Sequence, residues 1–253
     1  MKMNDKAVSE AVGFVLILGI VISGIGLVTL YGYPVLVKEQ SNTDVKNMER
    51  AMIVIQNDMK SLCFKNVPYK ETSLQVSGGT FEVINASQYG CFINVTNGTT
   101  LFQKNYTVGA LTYRSDRGTA VTTLENGAVM IRQDGATGSA MLAEPRWFYD
   151  NSTDTLVIYI MNITTDTLMA KSGMTTVRMG LEGSETQSIP VAPGDNVTVE
   201  YTSSPSGDYS TAWENYLTGA SVGMQRSALN SYYERNDVKT LVIKEYRIKI
   251  HDI

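Results

Sequence analysis

Residues Ala11 to Val37 read AVGFVLILGIVISGIGLVTLYGYPVLV, twenty-seven positions without one charge. A helix rises about 1.5 Å per residue, and a bilayer's hydrocarbon core takes about 20 apolar residues to cross, so this run is long enough to span. A secretory signal would show an apolar core of about 7 to 15 residues, then a small-residue cleavage site and unrelated sequence. Here the helical pattern continues instead. Val45, Met48, Met52, Ile55, Met59 and Leu62 recur at alternating intervals of three and four, which places all six on one stripe of a helix. Lys46, Glu49, Arg50 and Lys60 are left to face water. No proline stands between Pro34 and Pro68. The sequence therefore predicts one helix from about residue 9 to 65, membrane-embedded over 11–37 and amphipathic over 38–67, kinked near Gly32 and Pro34. The methionine-rich stripe serves either the sheet of its own domain or neighbouring copies, and different faces can serve both.

Beyond Pro68 the pattern changes to short runs with period two and turn residues between them. LQV and FEVI flank Ser77 to Gly79, which predicts a hairpin; CFINV and TLFQ flank Asn97 and Gly98, a second one. Further strands are predicted at VGALTYRS, around AVMIR, at WFYD and TLVIYIMNI, and at TTVRMG, SIPVA and NVTVEY. Thr211 to Glu214 fit a capping box opening a short helix whose Trp213, Tyr216 and Leu217 share a face. In the closing TLVIKEYRIKIHDI, Tyr246, Ile248 and Ile250 alternate with Glu245, Arg247 and Lys249, a half-buried strand. The fold class is α+β: a long N-terminal helix, then a mainly antiparallel sheet or sandwich of about ten strands over 68–253.

Composition narrows the function. The net charge of −4 and the absence of a basic cluster argue against nucleic acid as a partner. His251 is the only histidine, and neither a G-x-S-x-G elbow nor a phosphate-cradling loop occurs. No catalytic residue, metal ligand set or cofactor site is expected, and the chain reads as a non-enzyme. Asp150, Ser152 and Asp154 resemble the start of a calcium loop but lack its glycine and closing glutamate; a hairpin turn explains them as well. Cys63 and Cys91 either form one disulfide in an oxidising compartment or remain two buried thiols.

Seven asparagines, Asn85, Asn94, Asn97, Asn105, Asn151, Asn162 and Asn196, stand two before Ser or Thr with no proline between, more than composition gives by chance. All seven follow the apolar run. They are candidate N-glycosylation sites and place the large domain outside the cell. Lys2 and Lys6 before the span are balanced by Lys38, Lys46 and Arg50 after it, so loop charge does not decide orientation.

Residues 1–10 form a short basic leader, and Lys6, Ala7 and Val8 lead into the apolar helix. This resembles the prepilin-type signal of archaeal pilins, archaellins and related surface proteins, with Ala7 where glycine is more usual. The resemblance implies cleavage by a prepilin peptidase after Ala7, leaving the helix attached and Glu10 third in the mature chain. VGALTY, ENGAVMIR, the Pro145 to Phe148 segment and STAWENYL extend the likeness to archaeal surface proteins with a pilin-like amino terminus. On that resemblance the chain is a single-pass membrane protein with its C-terminal domain at the cell surface. It would be a subunit or minor component of a type IV pilus-like filament, associating with itself or with other pilin-like subunits through its helix. Glu10 would either neutralise an amino terminus or serve as an N-terminal helical acid that complements the dipole at the interface, and Gly19 and Ser23 would permit close approach of tails. The alternative is an anchored extracellular binding or adhesion protein that does not polymerise.

Overall fold

The computed structural model describes residues 5–65, 67–98, 102–227 and 231–253, and side chains from Val12 onward. The chain divides into two compact units that meet at Thr43 and Asp44.

The first unit is helical. Helix α1 runs Asp5–Leu27, a π-helical turn covers Val28–Gly32, and α2 begins at Tyr33 and continues to Lys65. The π turn falls where the sequence predicts the kink. Pro34 has no N–H to give, and its ring crowds the carbonyl of Leu30, so the helix widens by one residue there to accommodate both. The leader's first four residues lie outside the described residues.

Among the described residues the second unit is built on the rest of α2 and fourteen strands. In chain order these are β1 (Tyr69–Ile84), the short helix α3 (Ala86–Tyr89), β2 (Cys91–Asn97), β3 (Gln103–Val108), β4 (Ala110–Ser115), β5 (Ala120–Glu125), β6 (Ala128–Gln133) and β7 (Ser139–Ala143). There follow β8 (Phe148–Asp150), β9 (Thr155–Thr164), β10 (Met169–Pro190), β11 (Val197–Thr202), α4 (Ser210–Leu217), β12 (Gln225–Arg226), β13 (Tyr232–Arg235) and β14 (Thr240–Asp252). One sheet has nine strands in the order β7-β6-β5-β4-β1-β10-β14-β9-β8, the other five in the order β12-β13-β11-β2-β3. The class is α+β. All pairings are antiparallel except that β14 runs parallel to β9.

The helical stripe covers its own domain. Met48, Met52, Ile55, Met59 and Leu62 are wholly buried, in one core with β-strand residues such as Phe81, Leu111 and Ile248. Phe64 extends the contact edge-on to Tyr159 of β9 and Tyr246 of β14, at 5.1 and 5.9 Å between ring centres. Polar groups of α2 fix its position: Gln56 donates to the carbonyls of Gly127 (2.6 Å) and Glu144 (3.0 Å), and Asp58 accepts from Thr72 of β1 (2.7 Å). Since the stripe is the seam between helix and sheet, Met52→Ala is expected to lower the unfolding free energy by about 2–5 kcal/mol in chemical denaturation. Val54→Ala, on the exposed face of the same helix, should change it by less than about 0.5 kcal/mol.

Several strands depart from the sequence reading. Ser77 to Gly79 do not turn the chain back: β1 passes straight through them and pairs with β10 on both sides, with a register shift between Val76 and Phe81. Two glycines make that irregularity possible. Gly78 has φ +60°, and a side chain at Gly79 would collide with the Arg114 carbonyl and the Tyr113 ring. TTVRMG and the first three residues of SIPVA are parts of the single strand β10, which ends at Pro190 and absorbs two register shifts against β14. The predicted capping box at α4 is also absent. Tyr209 holds the cap position without a side-chain bond; Asp208 accepts from the Ser210 N–H (2.9 Å) and Ser139 from that of Ala212 (3.1 Å), while Glu214 pairs with Arg226 (2.8 Å). The β8–β9 hairpin forms where predicted. β2 pairs instead with Gln103–Val108, so of the predicted arm TLFQ only Gln103 is in the strand, Phe102 precedes it, and Thr100 and Leu101 lie outside the described residues.

Candidate functional site

Two features stand out, one in each unit. The first is the bare helix. From Val12 to Leu36 the large apolar side chains are exposed on every side, Phe14 at 67% and Ile20 at 72% of their full surface. The best 18-residue window has a mean hydropathy of 2.5 and none of it is buried within the chain. An apolar stripe on one side would mark a docking helix; an apolar surface all round marks a helix whose surroundings are themselves apolar. The chain thus carries one helix long and apolar enough to cross a membrane. Gly19 and Ser23 lie on it, both exposed, with nothing within 4 Å of where a side chain on Gly19 would begin. Lys6, Ala7, Val8 and Glu10 belong to α1, but their side chains are not among those described.

The second feature, absent from the sequence reading, is a buried turn. Asn126 and Gly127 join β5 to β6 as a two-residue hairpin, with φ +47° and +74°. The signal was there in the Asn-Gly pair of ENGAVMIR, as at Asn97–Gly98. This turn is enclosed, and Glu125, Asn126 and Gly127 together anchor five other elements. Glu125 is completely buried and has no ion-pair partner among the described residues. Its Oε2 accepts from Tyr89 Oη of α3 (2.7 Å), and its Oε1 accepts from Tyr201 Oη of β11 (2.8 Å) and Trp213 Nε1 of α4 (2.9 Å). Asn126 Oδ1 accepts from the Met161 N–H of β9 (2.7 Å), and the Gly127 carbonyl takes the bond from Gln56 of α2.

The electrostatics follow from enclosure. Burial raises the Glu125 pKa, and the bonds from Tyr89, Trp213, Tyr201 and Cys91 pull the other way without cancelling it. Burial, and then the neighbouring Glu125, push the Tyr89 and Tyr201 phenols well above their ordinary range. Tyr201 stacks on Trp213 at 5.2 Å, which closes the cluster on that side. Neutral donors fixed around one carboxyl, with no cation or histidine beside it among the described residues, make a strut joining two sheets and two helices.

The cysteines do not form the disulfide. Both are free and buried: Cys91 faces Glu125, whereas Cys63 on α2 lies beside Tyr246 of β14, so each thiol has its own surroundings. Burial pushes the Cys63 thiol up to about 12, and the Cys91 thiol is pushed up by burial and by Glu125. Asp150 accepts from Ser152 N–H (2.9 Å), Ser152 Oγ (2.7 Å) and Thr153 Oγ1 (2.9 Å), and Asp154 pairs with Lys239 (2.7 Å). Those bonds organise the β8–β9 turn. On the surface, Lys104, Gly183, Ser184, Glu185, Glu245 and Arg247 line an open cleft of about 310 Å³ bridged by the Lys104–Glu245 ion pair at 2.8 Å.

No curated protein and no solved structure matches the chain significantly. A family described as "Family of unknown function (DUF7289)" matches residues 6–250, which takes in the bare helix, the turn at Glu125 and every described strand but the last two residues of β14. The chain belongs to that family.

Proposed function

We propose that this chain is a pilin-like, non-enzymatic protein of the archaeal cell surface, a subunit or minor component of a type IV pilus-like filament. The observation that carries the reading is the division of labour along one helix. It is apolar and bare from Val12 to Leu36, and it buries a stripe in a β domain from Met48 to Leu62. The bilayer holds the bare part first, and neighbouring tails replace lipid around it in the filament. Gly19 and Ser23 let backbones approach so that dispersion contacts accumulate. The β domain lies outside the cell, the helix is its link to the membrane, and processing by a prepilin peptidase near Lys6, Ala7 and Val8 frees the tail.

Mass spectrometry of surface filaments purified from the native cells tests this. The expected result is this chain within the filaments with a mature terminus at Val8. A chain missing from filaments, extracted only by detergent and still beginning at Met1, would replace the filament subunit with an anchored adhesion or binding module.

A further inference from the structure

The seven sequons are far from equivalent once folded. Asn97 is 2% exposed, and its amide nitrogen donates to the Pro190 carbonyl at 3.2 Å. Asn85 is half-buried and donates to the Thr165 carbonyl at 2.5 Å, while its Oδ1 caps α3. Asn196 is half-buried and donates to Glu234 at 2.9 Å. Asn94 and Asn162 are half-buried with their carbonyl oxygens enclosed. A strand puts residues two apart on one face, so Asn-x-Thr triplets arise wherever a polar face is built from such pairs. Thr96 and Thr198, which complete the triplets of Asn94 and Asn196, hydrogen-bond each other across β2 and β11 at 2.5 Å.

Asn105 and Asn151 are different. Both are exposed, and among the described residues neither side-chain amide has a hydrogen-bond partner. Asn105 lies on β3, the edge strand of the five-stranded sheet, and Asn151 in the β8–β9 turn. A sugar needs open solvent around the amide it joins. We infer that the folded domain carries N-linked glycans at Asn105 and Asn151 and none at the other five sequons; this rests on the reading that the domain lies outside the cell. In the step, the Nδ2 of asparagine bonds to the anomeric carbon of a glycan held on a lipid phosphate. The bond from that carbon to the phosphate oxygen breaks, the lipid phosphate leaves with the electron pair, and the amide gives up one proton. The donor class is therefore a lipid-linked oligosaccharyl phosphate. The outer side of β3 and the β8–β9 turn would then be surfaces that neighbouring subunits leave free.

The test is site-resolved glycopeptide mass spectrometry on the full chain from its native cells, with protease shaving of intact cells in the same preparation. Glycans at Asn105 and Asn151 alone are expected. N105Q and N151Q should each remove one glycan, and Thr107→Ala should empty Asn105 while Thr107→Ser keeps it filled. A glycan on any of the other five sequons, or bare Asn105 and Asn151 on a domain that shaving does remove, overturns this inference and leaves the outside orientation standing. Bare sequons on a domain that shaving cannot reach overturn both.

Discussion

Glu125→Ala is expected to lower the unfolding free energy of the β domain by about 3–5 kcal/mol, seen as a fall in Tm of roughly 6–20 °C for a domain of this size. The carboxyl has three donors within 2.9 Å, and its removal strands two phenols and an indole N–H in the core besides leaving a void. Glu125→Gln keeps the shape and one acceptor oxygen, and should cost only about 1–3 kcal/mol. The pH dependence separates this strut from simple packing. With its folded pKa raised above the unfolded value of 4.5, Glu125 contributes stability that is fully present below 4.5 and is lost as pH rises through the folded value. Its neighbours Tyr89, Tyr201 and Cys91 are all shifted upward and stay neutral across that window. The stability gap between wild type and Glu125→Gln should accordingly narrow from pH 4 to pH 8 in denaturant titrations; a gap that widens would refute the raised pKa.

A fragment beginning at Asp44 should be soluble without detergent, monodisperse and cooperatively folded, whereas the full chain should aggregate unless detergent or lipid is supplied. The fragment keeps every residue of the buried helical stripe from Val45 to Leu62 and none of the exposed apolar residues between Val12 and Leu36. A second fragment beginning at Met59 loses Met48, Met52 and Ile55 from the core and should not fold, since each deletion of this kind costs about 2–5 kcal/mol against a total stability of about 5–15. Size-exclusion chromatography and thermal melts distinguish the cases. Detergent dependence of the Asp44 fragment would mean that the domain, and not the helix alone, needs an apolar environment.

The elements governed by one-dimensional patterns were legible in the sequence. The uncharged run, the three-four stripe and the alternation from Tyr246 to Ile250 all appear where they were read, because burial on one face imposes its period directly. The register shifts were not legible: at Ser77 to Gly79 the same glycines suit a hairpin or a strand irregularity, and only the neighbours Tyr113 and Arg114 decide between them. β10 was read as two strands because its burial alternation breaks at the shifts near Met179 and Gly183. Glu125 escaped because a lone acid in a strand is ordinarily a solvated one. Its donors come from positions 89, 201 and 213, which no spacing relates. The sequons were found, but their accessibility depends on which strand lies at the sheet edge.

The parallel pairing of β14 with β9 sets a condition on how the protein matures. β14 lies between β9 and β10, yet it is separated from β9 by everything from Thr164 to Thr240. Pairing so distant in the chain closes slowly, because the entropy of a long loop is lost before any contact rewards it. Until β14 arrives, one long edge each of β9 and β10 remains without its partner. Folding therefore passes through a stage in which these edges need shielding, and loss of β14 leaves a sticky intermediate and not a trimmed domain.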